Sequence, residues 1–197
     1  MTVLAFFKPY GVVTRFTGSR GELTLADYIS FPGVYPAGRL DKDSEGLLLL
    51  TDDGELAHLI THPRHALAKV YLAQVERIPD ESALAALQAG VLIQGVRTRA
   101  ALAELLAEAP TLPERPVPVR YRKSVPTAWI RLTLWEGRNH QVRRMTAAVG
   151  HPTLRLVRES IGPVHLGVLQ PGQWRRLDAA ELRALRQASS FRGRSGS

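Results

Sequence analysis

An α+β fold is predicted by three features of the chain. Residues 36–51, PAGRLDKDSEGLLLLT, place a charged loop ahead of a four-leucine run that lacks 3.6-residue periodicity and is bounded by Gly46 and Thr51, which suits a strand buried on both faces. Other segments carry apolar residues at helical spacing and suit short helices packed on such strands. At 197 residues the chain fits one domain, or two lobes sharing a sheet, and is long enough to bury a core.

Taken in order, residues 2–7 are apolar and aromatic and read as a first strand; the turn signal at Lys8-Pro9-Tyr10-Gly11 and the strand-like composition of 12–16 make a hairpin the simplest expectation. Residues 24–29 form a short apolar segment. After Thr51, either Asp52 or Asp53 can cap a helix over 55–61 with Leu56, Leu59 and Ile60 on one face. KVYLAQVE at 69–76 reads as a strand, 80–88 as a helix stopped by Gly90, and 91–93 as a short strand. The Ala, Leu and Glu content of 100–108 favours helix by propensity, yet the segment is short and flanked by turn signals. Residues 110–127 carry five prolines with Arg115, Arg120, Arg122 and Lys123; proline denies ladder hydrogen bonds, so an extended basic loop is expected, suited to RNA contact. Residues 129–136 alternate as a strand with Ile130, Leu132 and Leu134 on one face. A helix follows from about 138 to 149, its apolar face formed by Val142, Met145 and Val149. Strands are expected at 154–157, 164–169 and 172–177, and Asp178 with Glu181 resembles a capping pair opening a last helix. The Ser/Gly/Arg stretch 188–197 is expected to be a disordered basic tail.

Charge narrows the partners. Lys and Arg number 26 against 18 Asp and Glu, a formal excess of +8. The last ten residues hold only Arg192 and Arg194 as charges, so the excess belongs to the folded body. A basic body fits a polyanion, most often nucleic acid, with a solvated basic surface as the plain alternative. The absence of cysteine excludes disulfides, thiolate catalysis, iron–sulfur clusters and cysteine-based zinc sites. No apolar run approaches membrane-spanning length, and Lys8-Pro9 interrupts the hydrophobic start too early for a secretory signal, so a cytoplasmic protein is expected. Neither a phosphate-cradling P-loop nor a dinucleotide glycine fingerprint occurs.

Two clusters invite chemistry. His58, His62 and His65 include a pair one helical turn apart, but HLITH lacks the glutamate base of a zinc hydrolase and Pro63 ends the helix, so surface or loop histidines are expected and no metal. The loop 36–46 holds Asp41, Asp43 and Glu45 in an otherwise basic protein. A glycosidase needs two carboxylates placed across a bond. A single carboxylate kept ionised by an arginine is a different device, available as nucleophile or base near neutral pH. Arg138, His140, Arg143 and Arg144 at the start of a helix are not explained by the fold, and an RNA-acting enzyme is the reading that residue types support.

GRLDKDSEGLLLLT at 38–51 resembles the signature of the RsuA-type pseudouridine synthases, which isomerise uridine in ribosomal RNA. The likeness continues through HP at 62–63, KVY at 69–71, EGRNHQVRRMTAAVG at 136–150 and RLVRESIGPVHLGVLQPGQWRRL at 155–177; RKSVPTAW at 122–129 with GRNHQVRRMTA is similar to the RluE branch, which acts on large-subunit ribosomal RNA. The resemblance implies a mixed, mainly antiparallel sheet in two lobes with flanking helices, an active cleft between the lobes, and a strand at 100–108 against its propensity. It implies that Asp41 is the essential aspartate, that Tyr71 stacks on the target base, and that Arg143 ion-pairs with Asp41. Leu156 and Val157 would wall the pocket, and Arg39, Arg138, Arg144, Arg122 and Lys123 would grip RNA. By the same resemblance, residues 1–187 are the catalytic domain without a preceding RNA-binding module, no cofactor is needed, and the partner is large-subunit ribosomal RNA, bound by a monomer. The competing readings are a non-catalytic RNA-binding or ribosome-assembly protein and a base-excising glycosylase.

Overall fold

A computed structural model describes residues 1–63, 65, 67–120 and 122–191. The elements in chain order are β1 (Val3–Lys8), a 3-10 turn (Leu25–Asp27), β2 (Tyr35–Pro36), β3 (Glu45–Thr51), α1 (Gly54–Thr61), β4 (Lys69–Glu76), α2 (Glu81–Ala89), β5 (Leu92–Ile93) and β6 (Val96–Arg97). They continue with β7 (Leu102–Leu105), β8 (Thr127–Leu134), α3 (Gln141–Ala148), β9 (Thr153–Ile161), β10 (Val164–His165), β11 (Trp174–Arg176) and α4 (Ala179–Phe191). The chain forms two compact units, Met1–Leu67 together with the chain from Arg158 onward, and Ala68–Val157.

In the first unit β1 pairs antiparallel with β3 on one side and with β11 on the other. Both edges of β1 are thereby occupied, which is why residues 12–16, expected to return as the second arm of a hairpin, form no strand; they run as a loop instead. Every residue of β3 is buried, as its uninterrupted leucines require. Successive side chains alternate across the sheet, so Leu48 and Leu50 join Leu4, Phe6, Val12, Leu25, Ile29 and Val34 in one core, with Phe31 and Trp174 packed at its margin. Asp53 caps α1 by accepting the Leu56 amide at 3.0 Å. Asp178 accepts the amides of Ala180 and Glu181 while the Glu181 carboxylate accepts the Asp178 amide, the reciprocal cap predicted for α4. That helix runs to Phe191 and so takes in residues 188–191, which were expected to begin the tail; 192–197 lie outside the described residues.

In the second unit β8 sits between β4 and β7, antiparallel to both. Segment 100–108 therefore contains a strand and not a helix. Its Ala103 alternates inward, and tertiary pairing overrides the local propensity. Ile130, Leu132 and Leu134 are buried as the alternation predicted. Helix α2 is capped by Asp80, which accepts the Ala83 amide at 2.8 Å, and it packs on β7. Among the described residues, 106–126 contain neither strand nor helix. The expected strands at 164–169 and 172–177 shorten to β10 and β11.

Candidate active site

The predicted site residues divide between the two units. Arg39 and Asp41 belong to the first; Tyr71, Arg122, Lys123, Arg138, Arg143, Arg144, Leu156 and Val157 belong to the second.

Asp41 sits in the loop between β2 and β3, half-exposed, on a segment tied down along its length. Its carbonyl accepts the Ser44 amide at 3.0 Å, closing a turn with Asp41 at the first position, where aspartate is favoured. Ahead of it the Ala37 amide donates to the Leu49 carbonyl at 2.8 Å, and the Leu40 amide to Thr14 Oγ1 at 3.2 Å. The Lys42 carbonyl accepts the Gly11 amide at 2.8 Å. At the surface, Lys42 pairs with Glu22 at 3.2 Å and Glu22 with Arg15 at 2.6 Å; these two donors hold the Glu22 carboxyl down at about 2.

Beneath this loop lie two buried cations. Lys8, the last residue of β1, is fully buried, and its Nζ donates to the carbonyls of Val12 at 2.8 Å, Pro9 at 2.9 Å and Lys42 at 3.4 Å. Burial pushes this lysine from the usual 10.5 down to about 7, against the pull of Glu45, Asp43 and Asp41 and with the push of Arg158. Arg158, 3 % exposed, donates from Nε to the Leu47 carbonyl at 2.7 Å and from Nη1 to the Arg39 carbonyl at 3.2 Å. One guanidinium thus bridges the loop and the strand that follows it. Arg158 Nη2 and the Ser44 hydroxyl are buried without a hydrogen-bond partner among the described residues. Gly46 lets the backbones meet: its φ is +105°, and a Cβ there would lie 2.4 Å from the Arg158 carbonyl oxygen. Neither Lys8 nor Arg158 is among the residues that the sequence singles out for the site. The available signal was a lysine closing an otherwise apolar strand and an arginine within LRLVR.

In the second unit Tyr71 lies on β4 opposite Leu132 of β8, 9 % exposed, and Leu156 and Val157 are buried on β9. Helix α3 begins without a Ser, Thr, Asp or Asn cap. His140 takes the left-handed conformation at φ 49°, and the Gln141 side chain instead accepts the Arg138 amide at 2.9 Å while donating to Glu136 at 2.6 Å. The Gln141 amide returns to the Arg138 carbonyl at 3.1 Å. No acidic residue stands in the first turn of α3, whose positive end is flanked by three arginines. Arg143 Nη1 donates to the Thr153 carbonyl at 3.3 Å. Arg138 reaches the Arg97 carbonyl at 3.1 Å and Glu136 at 3.2 Å, and Arg144 contacts Asn139 at 3.1 Å and Gln94. Arg122 pairs with Glu76 at 2.6 Å, and Lys123 is exposed.

The sequence pattern of the RNA pseudouridylate synthase family matches residues 2–148, and the chain belongs to that family. It is 56 % identical to a ribosomal large subunit pseudouridine synthase E of Xanthomonas campestris pv. campestris, over 91 % of this chain and 97 % of that one. It is also 50 % identical to the synthase E of Vibrio parahaemolyticus, over 89 % of this chain and 73 % of that one. A crystal structure of a pseudouridylate synthase superposes with a TM-score of 0.78 at 33 % identity, covering 93 % of this chain and 73 % of that chain. The mixed, mainly antiparallel α+β architecture is that of these synthases. No helix among the described residues is long and apolar enough to cross a membrane.

Proposed function

We propose that this chain converts one or more uridines of large-subunit ribosomal RNA to pseudouridine, with Asp41 as the essential catalytic residue. The observation that carries the reading is the anchoring of the Asp41 loop: two buried basic side chains, Lys8 and Arg158, each donate to a loop carbonyl and support a carboxylate held in one place. Preorganisation of that kind is what a reacting group requires and what a passive RNA-binding surface does not. The 56 % identity to a synthase E supports the large subunit as the source of the substrate.

In the reaction the C1′–N1 bond breaks, the C1′–C5 bond forms, the C5 hydrogen leaves as a proton and N1 gains one. Atoms and electrons balance with no net redox change. The target base leaves its stack at a cost of a few kcal/mol, which contacts of basic side chains with phosphates offset. Tyr71 supplies the stacking platform, Leu156 and Val157 the dry wall, and Arg143 the positively charged partner of the Asp41 carboxylate. Arg39, Arg138, Arg144, Arg122 and Lys123 grip the RNA, and the enzyme works as a cytoplasmic monomer. Incubation of wild type and Asp41→Asn with unmodified large-subunit ribosomal RNA and with immature particles, followed by chemical mapping of pseudouridine, tests the reading. New pseudouridine with wild type alone is expected. Release of free uracil would indicate the glycosylase, and equal binding without modification the assembly protein.

A further inference from the structure

The three histidines set aside in the sequence come together in the first unit. The last turn of α1 brings His58 and His62 onto one face, as their spacing of four dictates. Pro63 then turns the chain rather than merely ending the helix: the His65 amide donates to the His62 carbonyl at 3.1 Å, a tight turn with proline at its second position. The consequence is a triangle of imidazoles with ring centroids 4.7, 5.7 and 6.3 Å apart. One ring nitrogen from each lies within 4.8 Å of the other two. His58 is exposed and the other two half-buried, so an ion can reach them from solvent.

Neither catalysis nor core packing accounts for three imidazoles gathered in this way. We propose that His58, His62 and His65 form a binding site for a borderline divalent transition ion, with zinc as the type case. Imidazole-only donors select Zn²⁺, Ni²⁺ or Cu²⁺ over Mg²⁺ and Ca²⁺, which prefer oxygen. At Zn–N distances of about 2.0–2.1 Å, tetrahedral ligand nitrogens stand about 3.4 Å apart. Closing the triangle from nitrogen separations of up to 4.8 Å to that spacing asks each ring nitrogen to move by roughly 1 Å. Water completes the fourth position. The C-terminal end of α1, where the negative end of the helix dipole lies, favours a cation. The ion would staple the end of α1 to the 62–65 turn, just ahead of Leu67, where the chain leaves the first unit.

The test uses the full chain without any added histidine tag, and each metal alone. Calorimetric titration with Zn²⁺ is expected to give one equivalent per chain, with affinity falling at least about tenfold in His58→Ala and in His65→Ala. Zn²⁺ should raise the melting temperature of wild type and not of His58→Ala, while Mg²⁺ raises neither. His165→Ala, an exposed histidine elsewhere in the same unit, should behave as wild type. His58 is on the surface, so its removal leaves the fold intact; far-UV dichroism checks this. Absence of stoichiometric Zn²⁺ binding, or wild-type affinity retained in both His58→Ala and His65→Ala, overturns the proposal.

Discussion

The loop that carries Asp41, and the basic side chains Arg122 and Arg144 of the second unit, make opposite kinds of contact. Around Asp41 the anchors are buried: Lys8 at 0 % and Arg158 at 3 % exposure direct their donors to backbone carbonyls, where side-chain rotation gains nothing. Arg144 and Arg122 of the second unit are instead bonded to the side chains of Gln94, Asn139 and Glu76, which can exchange for other acceptors. Exposed pairs of this sort are worth roughly 0–1 kcal/mol and yield readily to a phosphate. Buried donors aimed at backbone carbonyls do not. The difference suits the proposed division of labour, in which one region would fix the Asp41 carboxylate and the other would adapt to RNA.

The contrast can be broken from the buried side first. Gly46→Ala places a Cβ against the Arg158 backbone at a positive φ and should cost about 3 kcal/mol or more, whereas Gly54→Ala, with open space around it at the start of α1, should change stability by less than about 0.5 kcal/mol. Urea unfolding of the two variants measures both. Arg158→Met leaves the Leu47 and Arg39 carbonyls without their donor and should cost about 3 kcal/mol; Arg158→Lys restores the charge but cannot span both carbonyls and should recover only part.

Lys8 sharpens the same comparison through pH. Its folded value of about 7 lies below the usual 10.5, so between these values the unfolded chain binds a proton that the folded chain does not. By linkage, the contribution of Lys8 to stability rises with pH across that window and is flat below it. Lys8→Met should abolish this part of the slope, and unfolding curves at pH 6, 8 and 10 on both proteins measure it. At the exposed end of the scale, Arg122→Ala removes the pair with Glu76 and should leave the urea midpoint close to that of wild type. It should also lower RNA affinity a few-fold and reduce the salt slope of binding by about 1.

The legible parts of the fold were those governed by local pattern. KVYLAQVE at 69–76 is the strand β4 end to end, and the inward set Ile130, Leu132 and Leu134 followed from alternation. Capping by Asp178, and by one of the pair Asp52 and Asp53, followed from side-chain chemistry at helix starts. What local pattern could not supply was pairing between distant segments. Residues 12–16 have strand composition but no free edge to pair with, and 102–105 have helical composition but lie against β8. The same holds for the site. Asp41, Asp43 and Glu45 stood out as acids in a basic protein and only the family resemblance pointed to Asp41, whereas the anchoring contacts of Lys8 and Arg158 depend on burial and on carbonyls up to 119 residues away in sequence. The start of α3 was likewise only half legible: its arginines were evident, but the Gln141 side chain that replaces an ordinary cap was not.

The most direct test of this division of labour measures, on one large-subunit RNA substrate, both the single-turnover rate of pseudouridine formation at saturation and the dissociation constant. Asp41→Asn should lose the rate by about a thousandfold or more while binding as wild type does. The double variant Arg122→Ala, Lys123→Ala should bind several-fold more weakly yet turn over at close to the wild-type rate once saturated. Retention of pseudouridine formation by Asp41→Asn, or an equal loss of saturated rate in the surface variant, would contradict it.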